Sequence, residues 1–289
     1  MDDFPARVPG RWRERGGVML PMYQSEALWL SFNARRDPER RVGYPLAVKI
    51  AAGKASAVTG GPWRPGLHRS PQDYVVTPGQ PWLDGFVVAQ GVIRQFVALP
   101  LGAGYTAEEQ ITGKGEHGGL QILAYPMKRE AFERRFPPGA TPDISFRDGM
   151  FMCAEPRGAA YDMGVAPSGR MRQAIYADRF ALDEWDTSHA ARRFVHLANS
   201  LVWRAITGDA PPTTAPTAAE YPRQGLPWFE YYGEGTAVEA TQALEQLRSV
   251  LELGRAKGDV PLPENESVDP DRVVTLRPGR SDEVREGVF

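Results

Sequence analysis

Glycine and proline punctuate this chain densely, with 30 glycines and 26 prolines among its 289 residues. Both residue types mark turns and interrupt regular structure, so this density favours many short elements over a few long helices. Between the turn signals, short apolar runs recur from Met19 to Tyr125. Regularly spaced short strands of this kind are typical of an antiparallel sandwich or a barrel-like sheet.

Several of the apolar runs are spaced as hairpins. One hairpin is predicted to turn at Gly53, inside the run YPLAVKIAAGKASAVTG. A second turns at Gly91, inside DGFVVAQGVIRQFVALP, and Leu120–Tyr125 supplies a further strand. A short helix is predicted over residues 128–136, because two prolines follow it directly.

Two amphipathic helices are predicted in the second half of the chain. The first spans Ser188–Thr207, where apolar residues recur every three or four positions and a glycine follows. The second spans Ala237–Leu253, with a capping box at Thr236 and Glu239 and Gly254 just past its end. The predicted class is α+β, with a mainly antiparallel β-sandwich or barrel-like sheet and two amphipathic helices in the C-terminal half.

Composition shifts along the chain suggest five segments. Basic residues dominate a flexible N-terminal arm, a β-rich α+β domain follows, and a connection rich in proline and threonine leads to an aromatic segment with a docking helix. A charged, non-periodic tail closes the chain and is expected to be disordered. The predicted boundaries are 1–18, 19–210, 211–227, 228–254 and 255–289.

Net charge and cysteine content limit the classes of partner and compartment. A net charge of −2 gives no global attraction to nucleic acid or anionic lipid. The single cysteine, Cys153, excludes an internal disulfide, and its apolar surroundings predict a buried, inert thiol. Neither a secretory signal nor an apolar run of about 18 residues is present in the sequence. We therefore expect a cytoplasmic protein with no cofactor, no metal, no nucleic-acid partner and no membrane contact.

The glycine-rich stretch 101–119 contains several acidic residues and one histidine that lie close together in sequence. Carboxylates beside an imidazole can hold a divalent cation or activate a water molecule. Thr106 also forms a capping-box pattern with Glu109, which predicts one or two helical turns. The alternative is that this stretch is a solvated hairpin tip. Arg94, in the preceding strand, is then an outward-facing residue of a half-buried strand. The candidate catalytic residues are Glu108, Glu109, Glu116, His117 and Arg94.

The segment GLPWFEYYGE carries four aromatic residues within five positions. Aromatic residues are enriched at binding hot spots and at sugar-stacking surfaces. The alternative is that the rings pin the preceding connection onto the main core. The candidates for ligand or partner contact are Trp228, Phe229, Tyr231 and Tyr232.

Three runs of the sequence resemble those of a family of uncharacterised microbial proteins. They are YPLAVKIAAGKASAVTG, PWLDGFVVAQGVIRQFVALPLGAGYTAEEQITGKGEHGGLQI and GLPWFEYY. The resemblance covers most of residues 20–232 and implies one coherent domain across the β-rich part. The family has no assigned activity, so the resemblance implies no role for any residue.

Two functional hypotheses follow from these patterns. The first is a non-catalytic binding or assembly module of unknown ligand, with a protein partner or self-association. The second is a hydrolase or lyase-type enzyme that uses the acidic and histidine cluster in the 105–121 loop region. An enzyme requires these side chains to converge on one concave site with perturbed pKa values. Side chains that diverge into solvent favour the binding module.

Overall fold

The computed structural model describes residues 1–24, 26–138, 162–212 and 237–258, and also the backbone of 228–230 and 273–275. Its strands are mostly short and are numbered in chain order: β1 Val18–Pro21, β2 Ala27–Leu28, β3 Leu30–Ser31, β4 Leu46–Ala52, β5 Ala55–Ser56, β6 Val75–Thr77, β7 Trp82–Leu83, β8 Gly85–Ala89, β9 Val92–Pro100, β10 Leu120–Pro126, β11 Met163–Arg172, β12 Ala191–Ala198, β13 Trp228–Glu230 and β14 Val273–Thr275. The helices are also short: α1 Gly10–Arg15, α2 Ala107–Thr112, α3 Arg129–Arg135, α4 Ser200–Thr207, α5 Gln242–Glu245 and α6 Val250–Lys257. In the described part of the chain, no helix is long and apolar enough to cross a lipid bilayer.

Ten of the described strands form one large sheet that is mainly antiparallel. Its path runs β2-β9-β11-β12-β10-β4-β5, while β1, β6 and β8 pair beside this path. The pairing of β1 with β12 is parallel. Two smaller pairs lie outside the large sheet, β3 with β7 and β13 with β14. The predicted α+β class with a mainly antiparallel sheet is therefore confirmed.

Alternating side chains along β4 feed two separate cores, as expected for a strand buried on both faces. Val48 and Ile50 join the main core, which also holds Phe86 and Phe96 in an edge-to-face contact. Ala47 points to the other face and joins a second core with Tyr125, Phe132 and Trp185. The candidate site described below lies on this second face of the sheet.

The predicted hairpins are present. Strands β4 and β5 turn at Gly53 and Lys54, and strands β8 and β9 turn at Gln90 and Gly91. Helix α3 occupies the place predicted for a short helix before the two prolines. These elements depend on local turn and capping signals, which explains why sequence patterns alone located them.

The prediction of a single helix over Ser188–Thr207 is wrong in its first half. Residues Ala191–Ala198 form β12, and α4 begins only after Asn199, whose side chain accepts hydrogen bonds from two backbone N–H groups of the first turn. Strand β12 pairs with β10 and with β1. Leu197 is buried in the main core, as the apolar pattern required, but from a strand.

The second predicted helix, Ala237–Leu253, is also divided. Helices α5 and α6 replace it, and a capping box joins Ser249 to Glu252 at the start of α6. Thr236, of the predicted capping box, lies outside the described residues. Leu244 and Leu247 are both buried in the main core, and Leu247 lies in the break between the two helices. Helix α6 continues past Gly254 and ends at Lys257, with Gly258 as its C-cap, so the predicted start of the tail at residue 255 falls inside a helix.

The N-terminal segment, expected as a flexible arm over residues 1–18, carries α1. Trp12 on this helix is only 3% exposed and packs with Val8 and Ile206. Trp12 and its apolar neighbours therefore fasten the segment to the fold, although Arg11 and Arg13 beside the ring are exposed. The predicted linker at 211–227 and most of the tail lie outside the described residues.

Candidate functional site

Glu108, one of the predicted catalytic residues, is a buried carboxylate on α2. Its side chain is 4% exposed. It accepts hydrogen bonds from the backbone N–H groups of Glu116, His117 and Gly118. His117 Nδ1 lies 2.9 Å from the same carboxylate. Glu108 therefore holds the glycine-rich loop in place and orients the His117 ring.

The turn at Gly53 explains how this carboxylate fits against the sheet. Gly53 has a φ of +56°, and a Cβ built there would lie 2.1 Å from Glu108 Oε2. Only glycine meets both conditions, because it tolerates this φ and leaves room for the oxygen. Glu108 thus joins the β4–β5 turn to the glycine-rich loop.

Glu109 and Glu116 do not join Glu108 in a common site. Glu109 completes the predicted capping box with Thr106 and also accepts a hydrogen bond from the N–H of Gly104. Glu116 is 57% exposed and lies 3.5 Å from Lys114 Nζ at the surface. Glu109 is thus part of a helix cap, and Glu116 is a surface ion-pair partner.

Arg94 contacts a different part of the fold. It lies on β9 and is 7% exposed. Its guanidinium donates to the carbonyl oxygen of Ser168 at 3.2 Å and to Glu252 Oε2, on α6, at 3.1 Å. Burial lowers the pKa of this guanidinium. Of the five predicted catalytic residues, the structure therefore brings together Glu108 and His117, and it pairs Arg94 with the C-terminal helix.

Two of the predicted aromatic contact residues lie on a short described strand. Trp228 and Phe229 belong to β13, whose backbone pairs in parallel with β14. The side chains of Trp228, Phe229, Tyr231 and Tyr232 lie outside the described residues, as does Cys153. The prediction that these rings bind a ligand or partner stays a prediction.

A buried lysine that sequence analysis did not single out anchors the second face of the sheet. Lys49, in the middle of β4, is 3% exposed. Its Nζ lies 2.8 Å from Asp73 Oδ2 and donates to the carbonyl oxygens of Arg64 and Gly66 at 2.7 Å. Three acceptors use all three N–H groups of the ammonium. Lys49 therefore fixes the 63–73 loop to the sheet.

Asp73 also orients a histidine. His68 Nδ1 lies 2.9 Å from Asp73 Oδ2, and the His68 backbone N–H donates to Asp73 Oδ1 at 3.0 Å. The His68 side chain is 34% exposed, so its ring reaches solvent. Together with Lys49, these contacts leave the buried carboxylate paired and hydrogen-bonded, as a buried charge requires.

Next to this anchor, Arg192 of β12 is exposed yet held between two rings. Its guanidinium carbon lies 5.1 Å from the ring centroid of Trp63 and 4.8 Å from that of Phe194. Arg192 Nη2 donates to Gln121 Oε1. We call these four residues the arginine platform: Trp63, Gln121, Arg192 and Phe194.

The rest of the fold holds the arginine platform from several sides. Gln121 is fully buried and donates to the carbonyl oxygen of Gly53 at 2.6 Å. The Trp63 N–H donates to the carbonyl oxygen of Lys54 at 2.9 Å, and Lys49 Nζ lies 5.6 Å from the Trp63 ring centroid. Because its supports are themselves buried or hydrogen-bonded, the platform is preorganised.

Ring stacking continues from the platform toward the N-terminal helix. Phe194 stacks on His196 with centroids 6.1 Å apart, and His196 stacks on Trp12 at 4.8 Å. His196 Nε2 lies 2.9 Å from the carbonyl oxygen of Gly16. Burial lowers the pKa of His196, which favours the neutral ring. Helix α1 thus covers one end of the face on which Arg192 lies.

Two signals in the sequence point to this face. Lys49 interrupts the apolar run LAVKIAA, and a charged residue inside a buried strand needs a partner. Arg192 and Arg193 interrupt the apolar pattern in the same way. Neither signal identifies Trp63 or Gln121 as a neighbour of Arg192, because these residues are distant in sequence.

Among the described residues, the clearest candidate for a functional group is the preorganised guanidinium of Arg192. A metal site or a catalytic centre has weaker support. No group of three His, Cys, Asp or Glu side chains among them could hold a metal ion. A guanidinium fixed between rings can bind a carboxylate or a phosphate through its free N–H groups. Comparison with protein-family models, curated proteins and solved structures finds no match to the chain.

Proposed function

We propose that the protein is a non-catalytic binding module that holds an anionic group of a protein partner at Arg192. The observation that carries this proposal is an exposed guanidinium fixed between Trp63 and Phe194 and hydrogen-bonded to Gln121. An exposed arginine normally loses side-chain freedom when it binds a ligand, which weakens binding. Here the folded protein has already restricted that freedom.

Neighbouring charges support an anionic ligand. Lys54 and Arg64 are exposed and adjoin the arginine platform, Lys54 through its backbone contact with Trp63 and Arg64 as the next residue along the chain. Several cations on one surface raise the local potential even when the whole chain has a net charge of −2. Asp73, the acidic residue beside Lys49, is in contrast buried and paired with that lysine.

The hydrolase or lyase alternative has weaker support. The Glu108–His117 pair has the carboxylate–imidazole contact that general-base catalysis uses. However, three backbone N–H groups already bind this carboxylate, and Arg94 pairs with α6 elsewhere in the fold. These contacts favour a structural role for Glu108 over an enzymatic one.

The proposal is tested by the binding of a fluorescein-labelled hexaglutamate peptide, measured by fluorescence anisotropy at low ionic strength. Arg192→Gln should weaken binding about tenfold or more, because a charge-assisted hydrogen bond contributes about 1.5–3 kcal/mol. Arg192→Lys should recover only part of the affinity, since lysine lacks the planar guanidinium.

Arg129→Gln provides the charge-matched control. Arg129 is an exposed arginine of α3 that pairs with Glu133, so its loss changes the net charge equally without touching the arginine platform. Its affinity for the peptide should stay within about twofold of the original, as for other exposed ion-pair residues. Failure of the unaltered protein to bind the peptide, or equal losses in the Arg192→Gln and Arg129→Gln variants, would contradict the proposal.

A further inference from the structure

The strand that carries Arg192 has an edge with no strand paired to it among the described residues. Ala191–Arg193 pair with β10 on one side only. On the other side, β1 begins at Val18 and pairs with β12 only from Val195 onward. All three residues of Ala191–Arg193 are exposed. We call these three residues the β12 edge.

At the β12 edge, one backbone carbonyl oxygen is hydrogen-bonded to a side chain of the edge itself. Arg193 Nη1 donates to the carbonyl oxygen of Arg192 at 2.7 Å. Side chains at consecutive positions of a strand point to opposite faces, so Arg192 and Arg193 put one cation on each face. Charged residues at an exposed edge discourage random pairing, and they also select the partners that can pair.

We propose that an extended acidic peptide of a protein partner adds to the β12 edge as a further strand. This inference rests on the proposed function and specifies its ligand. In an added strand, consecutive residues lie opposite Arg192 and Arg193, so two adjacent acidic residues match the two cations. The peptide backbone would replace the Arg193 guanidinium at the Arg192 carbonyl, as in other cases of strand addition.

The surroundings of the β12 edge favour this occupant. An added strand would lie in line with β1, because β1 pairs with the same strand from Val195 onward. Val18, at the start of β1, is 51% exposed, so an apolar residue beside the acidic pair would find an apolar contact. The matching peptide therefore has an acidic pair flanked by apolar, β-forming residues.

The test uses a labelled peptide with the sequence Thr-Val-Glu-Glu-Val-Thr and two copies of it, each with N-methyl groups on alternate backbone nitrogens. Two methylation patterns are needed, one for each edge of the peptide. One pattern should weaken binding about tenfold or more and the other should not, because only one edge of the peptide pairs with the protein. Anisotropy gives the affinities.

A charge swap tests the side-chain part of the inference. Arg192→Glu combined with Arg193→Glu should lose the acidic peptide and bind a Lys-Lys version of it. Both positions are exposed, so the variant should remain folded, and circular dichroism checks this. Failure of the swapped protein to bind the Lys-Lys peptide would count against pairing at this edge.

The outcomes separate this inference from the proposed function. If both methylated peptides bind as well as the unmodified one while Arg192→Gln still abolishes binding, an anion binds at Arg192 without strand addition, and the inference is overturned. If Arg192→Gln leaves binding of the unmodified peptide unchanged, both proposals fail. Loss of affinity in one methylation pattern together with the charge swap supports both.

Discussion

Lys49 shows how one buried charge organises a surface. Its ammonium has three acceptors, two of them carbonyl oxygens in the 63–73 loop that carries Trp63. Trp63 in turn contacts Arg192. The position of the exposed guanidinium therefore depends on Lys49, which is almost fully buried. At the residue scale, the candidate binding group and its support are therefore different side chains.

We expect Lys49→Met to lower the free energy of unfolding by about 3–5 kcal/mol, because it leaves the buried Asp73 carboxylate without its cation. Denaturant unfolding measures this loss. The double variant Lys49→Met with Asp73→Asn should recover part of it, since the uncompensated charge is removed. A loss below about 1 kcal/mol in the single variant would contradict the anchoring role.

A second prediction at the residue scale concerns Asp84 and the pH dependence of the stability of the fold. Burial raises its pKa to about 6, although Trp82 donates to its carboxylate and lowers the pKa in part. Between about pH 4 and this pKa, the folded state therefore holds a proton that the unfolded state has released. The free energy of unfolding falls as the pH rises through this range.

We expect Asp84→Asn to be more stable than the original chain at neutral pH, on the order of 1 kcal/mol, because asparagine does not ionise. Its oxygen can still accept from Trp82 and Gln173. Thermal melts of both proteins at several pH values measure the difference, which should disappear as the pH falls toward about 4. A difference that does not depend on pH would show that another effect of the substitution dominates.

At the scale of elements, helix α1 shows how tertiary packing holds a short helix in place. The helix has six residues and no side-chain cap, so it has little stability of its own. Trp12 is buried and stacks on His196 of β12. The helix is therefore held by tertiary packing, and its surrounding arginines do not report on its burial.

We expect Trp12→Ala to cost about 3–5 kcal/mol of stability, the usual range for removing a buried large aromatic ring. Arg13→Ala, next to it and exposed, serves as the control and should change stability by less than about 0.5 kcal/mol. Denaturant unfolding compares the two. Equal stability of both variants would mean that residues 1–18 behave as the solvated arm that the sequence predicted.

Across the whole molecule, the C-terminal helices fasten distant parts of the sheet. Leu244 and Leu247 enter the main core, while α6 pairs with Arg94 on β9. At the end of α6, Lys257 donates to the carbonyl oxygen of Ala103 and lies 3.9 Å from the ring centroid of Tyr105. Residues 242–257 thus join the main core, β9 and the loop before α2.

Two truncations test this fastening. A chain ending at Gly254 should melt below a chain ending at Gly258, because it loses the last turn of α6 and the Lys257 contacts. A loss of about 1 kcal/mol corresponds to roughly 2–4 °C for a domain of this size. Differential scanning calorimetry compares the midpoints. Identical midpoints would show that residues 255–258 add nothing to the fold.

The sequence by itself determined the elements that depend on neighbouring residues. The turns at Gly53 and Gly91, the Thr106–Glu109 capping box and the short helix α3 all follow local signals. The buried state of Leu197 was also readable, because apolar spacing reports burial whichever element carries it. These features need no information from distant parts of the chain.

Only the tertiary structure decided that residues 191–198 form a strand and that Arg192 meets Trp63. A run with apolar residues three or four apart can form a helix in isolation, but β10 and β1 offered backbone partners along β12. The arginine platform likewise joins residues from three distant segments of the chain. Pairing and packing between distant segments are properties of the folded chain, and no local pattern encodes them.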